Sequence, residues 1–136
     1  MSNQQTSQPI QPLNPSPHFN LSDGKEIKMT YGLQNRLAKL INNISTVSLI
    51  LTDIQVQEAV IVNIFNKYDG KGQVIEEANL EEIEFSPVEI QHLLLWVTEH
   101  LTNFFLLNLQ SMTRIAVEYQ KGVESSLEPL SSGTKV

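Results

Sequence analysis

The chain of 136 residues contains no cysteine, which excludes both a disulfide scaffold and a thiolate metal site. Basic residues are scarce: nine Lys and Arg stand against fifteen Asp and Glu, for a net charge of -6. They are scattered singly along the chain, so the clustered cations that neutralise phosphates are missing, and nucleic-acid binding is disfavoured. Neither a Gly-x-x-x-x-Gly-Lys phosphate loop nor a Gly-x-Ser-x-Gly nucleophile elbow is present. The polar N-terminal stretch lacks the charged and apolar regions of a signal peptide. No long apolar run is uninterrupted either. Residues 90–109 come nearest, but Gln91, His92, Glu99, His100, Asn103 and Asn108 break them up. A Glu-His pair at the centre of such a stretch is costly in hydrocarbon, so a buried helix is expected rather than a membrane span.

What the chain does contain is an ordinary apolar share, 40%, arranged mostly at helical spacing. The expected fold is mainly α: a small helical bundle with an N-terminal β-hairpin and disordered termini. Residues 1–17, with Pro9, Pro12, Pro15 and Pro17 among Gln and Ser, are expected to form a flexible arm. Residues 18–121 then form one domain, and residues 122–136, rich in Ser, a flexible tail. In residues 19–31, Phe19 and Leu21 alternate with polar neighbours, Asp23-Gly24 supplies a turn, and Ile27, Met29 and Tyr31 alternate again. A lone hairpin is marginal in water, so its exposed edges invite a partner.

From Gly32 the period changes. Leu33, Leu37, Leu40, Ile41 and Ile44 predict a helix. Residues 47–51 fit helix or strand equally. A further helix, capped by Thr52 or Asp53, carries Ile54, Ala59, Val60, Ile61, Ile64 and Phe65 and ends near Tyr68. Asp69-Gly70-Lys71-Gly72 breaks it, and residues 76–82 read as a short helical piece. Ser86-Pro87-Val88-Glu89 is the strongest local signal: a serine cap, a proline at the first helical position and a Glu placed to reach back to the cap. Phe85 and Ile90 complete a hydrophobic staple. A long helix should run from Pro87 to about Gln120 and stop at Gly122.

Candidate chemical sites do not assemble. If Gly72 is aligned with the invariant glycine of a calcium loop, Lys67 and Lys71 fall at the first and fifth ligand positions and Ala78 at the twelfth, where oxygen donors are required. His92 and Glu99 share a helix face, but His100 is rotated away from them, and no His-Glu-x-x-His pattern exists. Glu76-Glu77 and Glu81-Glu82 read as a solvated face. No catalytic, metal or cofactor-binding residue is assigned, and no enzyme is expected.

The unusual feature is apolar excess on the last helix. Leu93, Leu94, Leu95, Trp96, Val97, Leu101, Phe104, Phe105, Leu106, Leu107 and Leu109 cover more than the single stripe of a surface helix. Either this helix is central and covered on all sides, or part of it meets a partner, in which case a homo-oligomer is one way to cover it. The stretches Phe19-Asn20-Leu21-Ser22-Asp23-Gly24-Lys25, with Met29-Thr30-Tyr31-Gly32-Leu33 after them, and Trp96-Val97-Thr98-Glu99-His100-Leu101-Thr102-Asn103-Phe104-Phe105 carry a likeness. Together with Tyr68-Asp69-Gly70-Lys71-Gly72 between helices, the chain resembles the tail assembly chaperones of tailed bacteriophages. These are small helical proteins encoded upstream of the tape measure. The resemblance implies a non-enzymatic protein that binds the tape measure protein and tail tube subunits in the host cytoplasm. Trp96, Leu101, Phe104 and Phe105 are the expected partner-binding residues. The alternative is a structural subunit of the particle (a baseplate, neck or tail component) retained in the virion.

Overall fold

The computed structural model describes the backbone of residues 14–134 and the side chains of residues 14–124. The fold is mainly α, with two small hairpins. Strands β1 (His18–Asn20) and β2 (Glu26–Lys28) pair antiparallel, with Phe19 opposite Ile27. Between them Gly24 takes φ +88°, a conformation that an L side chain resists. The Asp23 carboxylate accepts the Lys25 N–H at 2.9 Å to close the turn. The hairpin tip is tied down from far away. Both the N–H and the hydroxyl of Ser22 donate to the Glu89 carboxylate, at 2.6 and 2.9 Å.

Helix α1 (Tyr31–Ile41) begins where Thr30 Oγ1 accepts the Leu33 N–H at 3.1 Å. It ends because Asn42 turns into the left-handed region at φ +80°, which Asn tolerates better than most residues. Ile44 therefore lies beyond the helix and is exposed, and Leu40 faces outward; Leu33, Leu37 and Ile41 are the buried stripe. The ambiguous residues 47–51 resolve as helical turns. A 3-10 turn at Ile44–Thr46 leads into α2 (Leu49–Thr52), with Val47 and Ile50 buried.

Asp53 then makes a corner. Its carboxylate caps α3 (Ile54–Phe65) by accepting from Gln55 and Val56, and the segments on either side of it meet at 95°. Those two bent segments together have the apolar length of a membrane span, but Val47, Ile50, Val60 and Ile61 within them are core residues. Among the described residues, no single helix is long and apolar enough to cross a membrane.

After α3 the chain forms a second hairpin where only a glycine turn was expected. Strands β3 (Lys67–Tyr68) and β4 (Val74–Glu76) pair with a bulge. The Asp69 carboxylate accepts the N–H groups of Lys71 and Gln73, and the Asn66 side chain accepts from Ala78 at 2.6 Å. A 3-10 turn at Leu80–Glu82 follows.

Helix α4 (Pro87–Thr134) starts at the predicted serine, with Ser86 Oγ accepting the Glu89 N–H at 3.1 Å. The other half of the expected capping box is absent, because the Glu89 carboxylate takes the Ser22 donors instead. Phe85, the expected staple residue, stacks on Phe65 with ring centroids 5.8 Å apart. The helix does not stop at Gly122 but continues to Thr134, so the tail expected from residue 122 begins as helix.

Two compact units divide the chain, Met1–Phe105 and Leu106–Val136. The core of the first gathers the buried residues of α1, α2 and α3 around Leu93, Leu94, Trp96, Val97 and Leu101 of α4. In the second, every described side chain from Leu107 to Glu124 except Val123 is exposed. The single domain expected over residues 18–121 is therefore cut within α4. The expected arm is also shorter than residues 1–17, because Pro17 accepts the Met29 N–H at 2.8 Å and Ser16 is held by α4. Residues 1–13 lie outside the described residues.

Candidate functional site

The four residues expected at a partner surface fall into two environments. Trp96 is a core residue. Its ring packs on Phe19 at 5.5 Å between centroids and meets the His100 ring edge-on at 4.9 Å. Trp96 Nε1–H donates to the Ser16 carbonyl at 2.7 Å, and His100 Nε2 lies 2.7 Å from the same oxygen. A carbonyl only accepts, so that imidazole nitrogen carries its proton. One oxygen with two acceptor directions thus fixes the start of the described chain against α4. Leu101 is completely enclosed. Neither residue is placed to meet another molecule; burial of each stabilises the first unit by ~2 kcal/mol.

Phe104 and Phe105 are half-buried and meet edge-on at 5.4 Å. They mark the point on α4 where enclosure ends. Within the second unit, Leu109, Met112, Ala116, Tyr119 and Val123 follow one another at alternating steps of three and four residues. A repeat averaging 3.5 residues keeps one stripe on one side of a helix, with Ile115 beside it. Met112 is 66% exposed, Ile115 63% and Tyr119 74%. The charged residues Arg114, Glu118 and Lys121 lie on other faces by the same geometry. The apolar excess expected on residues 93–109 was not followed further along the same helix; the three-four spacing was the available signal.

The remaining candidates make no chemical site. His92 is exposed, Glu99 half-buried, and His100 is engaged by Ser16. The Asp69 carboxylate of the glycine-rich turn is already occupied by backbone donors. Among the described residues, no group of three His, Cys, Asp or Glu side chains could hold a metal ion. Among the described residues, α4 presents an exposed apolar stripe over residues 109–119. Comparisons with known protein families, with curated proteins and with solved structures give no match.

Proposed function

We propose that the chain is a non-enzymatic tail assembly chaperone of a tailed bacteriophage, binding the tape measure protein and tail tube subunits during tail morphogenesis in the host cytoplasm. One observation carries this reading: the exposed stripe of Leu109, Met112 and Tyr119 on α4, with exposed Ile115 beside it. A long helical client presents an apolar seam of its own, and a helix with a matching stripe lies along it, burying both. Tyr and Met suit such contacts, Tyr as a large anchor with few rotatable bonds and Met as an adaptable filler. The net charge of -6 keeps a protein with this much exposed apolar surface in solution. The likeness of residues 19–33 and 96–105 to the chaperone family supplies the identity of the client.

The test is co-expression of the chain with the tape measure protein and the tail tube subunit, followed by affinity capture. The double variant Met112→Glu with Ile115→Glu is expected to lose at least tenfold of the captured client while its circular dichroism is unchanged. Undiminished capture by that variant refutes the seam. Protein composition of purified particles tests the chaperone role separately, because a chaperone is absent from them. A fixed copy number in the particle makes the chain a structural subunit instead.

A further inference from the structure

The scattered cations of the sequence are not all scattered in the fold. Lys25, Lys28 and Arg36 line one cavity of about 320 Å³ beside the first hairpin, together with Leu33, Ile64 and Phe65. Among the described residues, none of these three cations forms an ion pair. The one carboxylate in the lining, Glu26, sits 3.0 Å from His18 Nδ1. Arg36 stacks over the Tyr68 ring at 3.6 Å, and its Nε is buried without a hydrogen-bond partner. Stacking on an aromatic face orients the guanidinium without saturating the donors on its terminal nitrogens.

Two further features narrow the ligand. Among the described residues, strand β2, whose three residues all line the cavity, is paired only with β1. Its other edge, apart from the Lys28 carbonyl that accepts the Thr30 N–H at 2.9 Å, offers main-chain groups to an added strand, as in peptide recognition by sheet extension. The adjacent cavity, of about 340 Å³, shares Lys25 and Phe65 but is lined by Asp23, Glu82 and Glu84. The charge of the cleft thus reverses beyond Lys25, which confines an anionic group to the Lys28 and Arg36 end.

We infer that this cavity binds an extended acidic-apolar segment of a partner polypeptide. A carboxylate meets Lys28 and Arg36, and a neighbouring aliphatic side chain packs on Leu33, Ile64 and Phe65. A free phosphate gains nothing from the apolar lining and cannot extend the sheet as a strand does. The site belongs to the first unit and is independent of the α4 stripe, so it stands whether or not that stripe binds a client.

The probe is a fluorescein-labelled, amidated hexapeptide alternating aspartate and leucine, titrated with the full chain in low salt and followed by anisotropy. Saturable binding is expected, weakened at least tenfold by Lys25→Glu with Lys28→Glu and to a similar degree when the aspartates become asparagines. Both lysines are exposed, so circular dichroism of that variant should match the parent. Amide shifts on binding are expected at Ile27, Lys28, Arg36 and Phe65. Absence of binding overturns the proposal, as does binding indifferent to the lysine changes. Displacement of the peptide by an equal concentration of inorganic phosphate also overturns it, reducing the cavity to a simple anion site.

Discussion

Helix α4 contains two stretches of similar chemistry and opposite surroundings. Residues 93–101 carry Leu, Trp and Val, and the inward ones are almost wholly removed from water; residues 109–123 carry Leu, Met, Ile, Tyr and Val, and nearly all are exposed. Composition alone does not separate them. What separates them is the presence or absence of neighbours: α1, α2, α3 and the first hairpin close over the earlier stretch, and the second unit contains no other described element to close over the later one. Of the two accounts of the apolar excess, the central helix describes residues 93–101; residues 109–123 are left uncovered by the other described elements. An apolar residue on a helix reports a demand for cover, and only the fold says whether the chain supplies it.

The contrast is broken most directly by truncating one residue in each stretch. Leu101→Ala is expected to cost about 3 kcal/mol, since the enclosed site loses both transfer energy and packing. Met112→Ala should change stability by less than about 0.5 kcal/mol, as at other exposed positions. Urea unfolding followed by circular dichroism measures both. Similar losses in the two variants would mean that the later stretch is covered after all.

The next effect concerns how the enclosed stretch holds the N-terminal side of the chain. Trp96→Phe keeps a ring against Phe19 but deletes the N–H that reaches the Ser16 carbonyl, leaving His100 as the sole donor there. A loss of about 1.5 kcal/mol is expected from the smaller ring and the missing bond. The Met29 amide, which donates to Pro17, should exchange with solvent faster, while the amide of buried Leu37 changes less. Equal acceleration at both positions would point to global loosening rather than release of residues 14–17.

A smaller change sharpens the comparison from the covering side. Asp53→Ala removes the acceptor for Gln55 and Val56 at the start of α3 and is expected to cost about 1 kcal/mol. Because α3 belongs to the core of the first unit, the helical signal of residues 106–124, read by residue-resolved amide exchange, should not move.

Much of this fold was legible locally. Asp53 and Ser86 each announced a helix start by the oxygen they place over the first turn, and Asp23-Gly24 announced the first hairpin; the Thr30 cap of α1 was not singled out, because Thr30 lay in the stretch read as hairpin. What escaped involves partners distant in sequence. Glu89 looked like half of a capping box, yet its carboxylate serves Ser22, 67 positions earlier. The second hairpin has strands of two and three residues, too short to show alternation, and relies on the Asp69 turn and the bond from Ala78 to Asn66. The cationic cavity was invisible because Lys25, Lys28 and Arg36 become neighbours only when the hairpin folds beside α1. Of the four residues expected at a partner surface, Phe104 and Phe105 are half-buried, at the point on α4 where enclosure ends. Trp96 and Leu101 were misassigned because periodicity gives the size of an apolar face and not its orientation toward the rest of the chain.

The smallest effect tests where the exposed stretch ends. Gly at this position followed by Ser-rich sequence reads as a helix stop, and a glycine terminating a helix adopts a left-handed conformation that alanine resists. In the structure Gly122 lies inside α4, its φ is not positive, and a Cβ there would meet nothing within 4 Å. Alanine is the better helix former by roughly 0.8 kcal/mol in a helix interior. Gly122→Ala should therefore raise the helical dichroism at 222 nm and slow amide exchange from residue 115 onward, leaving the unfolding of the first unit unchanged. The two geometries predict opposite signs: a glycine that ends the helix would make the substitution unfavourable and lower the signal. A rise extends the apolar seam through Val123, and a fall confines it to residues 109–119.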